Sequence, residues 1–194
     1  MPRKQIFKFR LLTWCLLLVA SASIAQDPVE REGYFEVRSA SSRLVGGVHT
    51  LDARLQLVLS SEALEALSSG VALTIELQIE VVRERRFYFD NVDAAIAIRY
   101  ELEYRPLSQR YIVRNLNSGD QDSFATLYSA LNSLGRIEDL PIIDDALLEA
   151  DKTYRLRLRA LLNTQQYPAP LRLLFFWRDQ WQLESNWFEW TLER

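Results

Sequence analysis

Only one side chain in the sequence, His49, titrates near neutral pH in its ordinary state. Any Ser–His–Asp or Cys–His site would have to use it as the base that activates the nucleophile. No G-x-S-x-G elbow is present, and the adjoining Gly46-Gly47 pair reads as a turn, so His49 is expected to be a solvated turn residue. The single cysteine, Cys15, lies in an apolar N-terminal run, which leaves zinc and related metals without their usual ligands. Asn117, Asp120 and Asp122 offer oxygens but lack the later glutamate of a calcium loop, and read as a turn followed by a helix cap. A glycosidase would need two acids roughly 5–10 Å apart across a sugar. Glu138, Asp139, Asp144, Asp145, Glu149 and Asp151 cluster in sequence, but adjacent acids in a strand-poor segment read as solvated surface and helix caps. No glycine-rich phosphate loop occurs. The expectation is a non-enzymatic protein with no catalytic residue, no metal and no cofactor.

Two clusters suit recognition instead. The first runs Arg83-Glu84-Arg85-Arg86-Phe87-Tyr88-Phe89-Asp90. Arg83, Arg85, Arg86 and Tyr88 could stack on and pair with an anionic or extended partner. The structural alternative is a charge ladder with aromatics plugging the end of a β-sandwich. The second cluster crowds Phe175, Phe176, Trp177, Trp181, Trp187, Phe188 and Trp190 into sixteen residues. Consecutive aromatics on a strand point to opposite faces, so one core cannot take them all. Trp177, Trp181, Trp187 and Trp190 are the candidate platform for a protein chain or a sugar, against a reading as core and lid. A carbohydrate-binding or carbohydrate-active protein, using these tryptophans and the acidic segment, is the alternative function.

These residues must be held by strands. In the stretch GVALTIELQIEVVRERR (70–86), Val71, Leu73, Ile75, Leu77, Ile79 and Val81 recur two apart, with Thr74, Glu76, Gln78 and Glu80 between them. That period predicts a long strand with one aliphatic and one wet face, bent or bulged near its end. Leu51 to Leu59 repeats it, as do Ile96 to Tyr104 and Tyr154 to Leu162. Phe35 and Val37 make a short strand ending in a loop over 39–43. Returning strands are expected over 110–116, 171–177 and 187–192. The segment SSEALEALSSG reads as a short helix capped by Ser60 or Ser61 and stopped by Gly70. A longer helix is predicted from a cap at Asp122 or Ser123, with Phe124, Leu127, Tyr128, Leu131 and Leu134 on one face and Gly135 at its end. Pro141 is expected to break the segment after that helix, and Asp144 or Asp145 to open a single turn. No strand–helix–strand rhythm recurs, which argues against a doubly wound parallel sheet. The fold class is mainly β: an antiparallel β-sandwich, with an immunoglobulin-like arrangement in view, one amphipathic helix and short helical turns.

The first 25 residues are set apart from this domain. Arg3, Lys4, Lys8 and Arg10 precede an apolar run of about 14 residues, and Ser23-Ile24-Ala25 supplies small residues for cleavage. A bilayer span takes roughly 20 residues. The division is therefore 1–25 signal peptide and 26–194 a single β-rich domain, with an uncleaved N-terminal anchor as the lesser alternative. Cleavage would leave no cysteine and no stable membrane span. It would also leave 19 basic against 26 acidic side chains, a net charge of −7 that argues against nucleic acid as a partner.

The segments GVALTIELQIEVVRERRFYFD (from residue 70), LSQRYIVRNLNSGDQDSFATLYSALNSLG (from 107), YRLRLRALL (from 154), YPAPLR (from 167) and ESNWFEW (from 184) carry a resemblance. In order and spacing the chain, over residues 33–192, resembles a family of exported proteobacterial proteins catalogued as a domain of unknown function. It departs from the family pattern at Phe87-Tyr88-Phe89, where a tryptophan is the family's residue. The resemblance implies periplasmic export and a genomic setting beside a membrane sensor histidine kinase of the nitrogen-regulation type. It thus implies an envelope or inner-membrane protein, such as that kinase, as partner. It implies no activity, ligand or catalytic residue.

Overall fold

The computed structural model of the chain describes residues 31–85, 90–163 and 183–193, which fall in one compact unit from Arg31 onward. Its centre is the strand Leu73–Arg83, β3, where the two-residue period is obeyed as the sequence predicts. Leu73, Ile75, Leu77, Ile79 and Val81 are at most 1% exposed. Neighbouring strands flank it on both sides, Asn91–Arg105 (β4) and Tyr154–Leu162 (β8), each antiparallel. The sheet continues outward from β4 through Arg110–Asn115 (β5) to Gln121–Phe124 (β6), and from β8 to Phe188–Thr191 (β9), six strands in all among the described residues. A second antiparallel sheet has the order Tyr34–Val45 (β1), Val48–Val58 (β2), Arg136–Asp144 (β7).

The apolar rows of the two sheets face each other across one core. Phe35, Val37, Leu51, Leu55 and Leu57 from the small sheet join Leu73, Ile75, Leu77, Leu156 and Leu158 from the large one. Helix Ser61–Ser68 (α1) carries the chain from the small sheet to the large one, and helix Leu127–Leu134 (α2) carries it back. Ser60 caps α1 by accepting from the Ala63 amide, and Gly70 takes the left-handed φ of 87° beyond its end. The fold is mainly β, an antiparallel sandwich. Among the described residues the strands divide six to three, where the immunoglobulin arrangement splits them almost equally. Among the described residues no helix is long and apolar enough to cross a membrane.

Four elements differ from the sequence expectation. β1 does not stop at Val37 but runs twelve residues, because Arg38 is an extra residue opposite β2 and shifts the alternation. Residues 121–124 pair with β5 as β6, so Asp122 and Ser123 are not helix caps. Thr126 caps α2 instead, its Oγ1 accepting from the Ser129 amide at 3.1 Å. Tyr128, expected on the apolar face, is exposed, whereas Ala130, Leu131 and Leu134 are buried. Pro141 does not break the chain; it sits within β7, an edge strand, beside a register shift opposite Thr50, where a missing amide costs nothing in the ladder. The strand expected over 171–177 lies outside the described residues.

Candidate functional site

Arg83 ends β3. The unbroken pairing with β8 places it opposite Tyr154, whose ring is buried at this end of the core, and on the β4 side it faces Asn91 beyond a register shift at Val81/Val82. The Arg83 side chain is 20% exposed and is held from two sides. Its Nη2 donates to Asp93 Oδ1 at 3.1 Å, Nε stands 3.0 Å from Oδ2 without hydrogen-bond geometry, and Nη1 pairs with Glu149. The Glu149 amide donates to the Tyr154 hydroxyl at 3.1 Å, so this cluster ties the segment before β8 to the strand end.

Beyond it opens a cleft of about 570 Å³. Glu84, Arg85 and Asp90 line it from the β3–β4 connection; Asp151, Lys152 and Thr153 line it from the approach to β8, with Arg155 beneath. Arg155 gathers three carboxylates: Asp90 Oδ2 at 2.5 Å, Glu189 Oε2 at 3.0 Å and Glu84 Oε1 at 3.4 Å. Lys152 Nζ lies 2.9 Å from Asp151 Oδ2. The hydrogen bond between them holds the Asp151 carboxyl below the usual range and the Lys152 amine above it, so both stay charged around neutral pH. Arg85 behaves differently. Its amide donates to Asp90 Oδ1 at 3.2 Å, but its exposed guanidinium forms no ion pair with the described residues. A planar fork of donors left open in this way suits bidentate recognition of a carboxylate or similar oxyanion.

The wet face of the large sheet is a ladder of opposite charges. Glu76, almost fully buried, accepts from Arg99 Nε (2.9 Å), Gln78 Nε2 (2.7 Å) and Asn163 Nδ2 (2.8 Å). Gln78 accepts from Arg159 Nε at 2.8 Å, and Glu80 from Arg157 Nε at 2.7 Å. Trp187 lies against this ladder, its ring centroid 4.5 Å from the guanidinium carbons of both Arg157 and Arg159. Trp190 takes the other parity. It stands opposite Leu156 on the inner face, packs on the core, and donates from Nε1 to Ser42 of β1 at 3.1 Å. Arg86, Tyr88, Trp177 and Trp181 lie outside the described residues. Of the residues singled out in the sequence, Arg83 and Arg85 are thus brought to one strand end, while Trp187 and Trp190 separate to opposite faces of β9 and its lead-in.

Sequence reasoning did not single out Lys152 or Arg155. Arg155 shares the parity of Arg157 and Arg159 on β8, a signal that placed it on the wet face without revealing its partners. His49 corrects the expectation of a solvated turn residue: it is fully buried, with Nε2–H donating to Asp145 Oδ1 at 2.9 Å. It continues the inward row of Leu51 and Ala53, opposite Leu44 and Ile143. The acidic segment is likewise engaged in structure. Asp144 accepts from the Ala146 amide, Glu138 lies 3.3 Å from Arg54, and Asp139 pairs with Arg43. Asn117 pins its turn to β4, accepting from the Arg99 amide and donating to the Ala97 carbonyl.

No curated protein and no solved structure matches the chain. A family model described as "Domain of unknown function (DUF4390)" matches residues 33–191, and the chain belongs to that family.

Proposed function

We propose that the chain is an exported, periplasmic, non-enzymatic binding module whose cleft receives an acidic group of an envelope or inner-membrane protein, a sensor kinase being the class in view. The single observation that carries this is Arg85: in a cleft whose other charges are paired with one another, its guanidinium has no counter-charge among the described residues. Arg155 and Lys152 fix the cleft's carboxylates in ion pairs, which favours a recognition surface over acid–base chemistry. The basic, apolar and small-residue order of the first 25 residues supports export.

The alternative function, a sugar platform, draws no support from the described residues. The Trp187 ring is taken by two guanidiniums and Trp190 by the core and Ser42.

The test uses the full chain, tagged at its C-terminus and cross-linked in the envelope of the producing cells. The expected result is one membrane-protein adduct that persists in Arg85→Lys and disappears in Arg85→Glu, with unchanged melting of the variant. Loss of the charge-reversed adduct only together with the fold, or an adduct indifferent to Arg85→Glu, would overturn the site. Absence of any adduct would overturn the module reading. The mass of the recovered chain decides export by cleavage: it should begin at Gln26.

A further inference from the structure

Four strand edges close the two sheets among the described residues, and they are not equivalent. β6 and β9 are four residues each. β7 is interrupted by Pro141 and by Asp139, whose φ is 50°. β1 runs twelve residues with β2 on one side and, among the described residues, no strand paired on the other. It also carries three of the large apolar residues that stand exposed: Tyr34 at 42%, Leu44 at 44% and Val45 at 51%. A long edge presents a row of backbone donors and acceptors that another strand can complete.

The side chains of β1 indicate which strand. Because Arg38 is an extra residue, Arg38 and Ser39 together occupy one outward position opposite Arg54. The outward row is then Tyr34, Glu36, Arg38/Ser39, Ser41, Arg43 and Val45, and Ala40 is the inward residue at its midpoint. Run against a second copy in antiparallel, with Ala40 facing Ala40, this row meets its own complement. Arg43 falls opposite Glu36 of the other copy, Val45 opposite Tyr34, and Ser41 opposite Arg38/Ser39, each twice. Opposite charges and apolar pairs placed directly across strands are the stabilising combinations, and like charges the destabilising one. The same charges oppose random partners, which is how natural edges are protected. The Arg43 side chain is 54% exposed, and its nearest contacts to Asp52 and Asp139 are both made by Nη2, one nitrogen of the guanidinium fork.

We propose that β1 is the docking edge for a second copy of this chain, by two-fold antiparallel pairing about Ala40 that joins two small sheets into one. No residue of the Arg85 cleft takes part. One strand pair buries less than a standard interface, so the dimer forms reversibly and depends on concentration.

The test is sedimentation velocity of the full chain over a concentration series, beside Val45→Glu and, in a Cys15→Ser background, Ala40→Cys. The expected result is a monomer–dimer equilibrium that Val45→Glu weakens by roughly tenfold or more at unchanged melting temperature. Ala40 meets its own copy on the axis, with Cβ atoms about 4.5–5.5 Å apart. Mild oxidation should therefore link Ala40→Cys into a covalent dimer, and should leave a Leu107→Cys control monomeric. A chain that stays monomeric throughout, or a dimer indifferent to Val45→Glu, overturns the proposal. If Ala40→Cys disturbs packing, the Val45→Glu comparison decides alone, since Val45 is exposed and buries nothing in the monomer's core.

Discussion

Glu76 is the residue where burial and charge conflict most openly. Burial raises its carboxyl pKa, but hydrogen bonds from Gln78, Arg99 and Asn163 and the charge of Arg99 outweigh that, and the net shift is downward. A depressed carboxyl contributes stability that is present above its unfolded pKa and is lost as pH falls through its folded pKa. Acidification from neutral into and below the ordinary glutamate range should therefore weaken the fold through this site. Glu76→Gln keeps the shape but removes the charge, and should cost about 1.5–3 kcal/mol at neutral pH. Its stability should also fall less on acidification than that of the parent. Urea titrations of both proteins at neutral and acid pH measure this; parallel pH profiles would rule Glu76 out as a source. His49 is the converse case, a buried polar group whose Nδ1 has no hydrogen-bond partner among the described residues. Replacing it with leucine removes an unsatisfied atom and releases Asp145, which reaches solvent, so His49→Leu should change stability by no more than about 1 kcal/mol. His49→Ala leaves a cavity and should cost about 2–5 kcal/mol. Thermal melts of the pair discriminate, and equal losses would contradict the packing account. The burial of His49 was legible in principle, since it stands two residues before Leu51 in the inward row. The Gly-Gly turn beside it concealed that parity.

At the scale of elements, the sequence is readable wherever side chains alternate with no extra residue in the strand itself, as in β2, β3, β8 and the Ile96–Tyr104 part of β4. It fails where pairing overrides the local pattern. One extra residue at Arg38 inverts the phase of β1, so its polar second half resembles a loop. Pro141 reads as a breaker because nothing local says that β7 is an edge strand. The turn from α2 into β7 shows what pairing demands in return. Gly135 has an ordinary φ of −78°, so backbone strain is not the reason for glycine there. A Cβ would lie 2.4 Å from the Leu55 carbonyl oxygen, and the Leu55 amide donates to Gly135 O at 2.8 Å. The obstacle is backbone of β2, which cannot swing aside as a side chain would. Gly135→Ala should therefore destabilise by about 1–3 kcal/mol through forced displacement of that joint. A urea midpoint equal to the parent's, at unchanged slope, would show that the joint yields without cost.

For the whole molecule, a pattern of alternation establishes that two faces exist but not which loops meet at their ends. Arg83 and Arg85 are visible in sequence as a basic strand end. The groups that divide their roles are Asp93 and the stretch from Glu149 to Lys152, and only the pairing of β3 with both β4 and β8 brings them there. The same topology bears on stability. The small sheet contributes one wall of a core shared with the large sheet, both helices cross between sheets, and Trp190 of β9 bonds Ser42 of β1. With one core shared by both sheets among the described residues, the two sheets should unfold as one cooperative unit. Leu57→Ala, on the small sheet, and Leu158→Ala, on the large one, each remove a buried side chain and should each cost about 2–5 kcal/mol. Their effects should appear in the same single transition, whether followed by far-UV dichroism or by calorimetry, with calorimetric and van't Hoff enthalpies equal. If Leu57→Ala instead splits the melt, lowering an early step while the Leu158→Ala-sensitive step stays in place, the small sheet is an annex with its own stability. In that event β1, the edge proposed to receive a second copy, would be expected to order with its partner rather than before it.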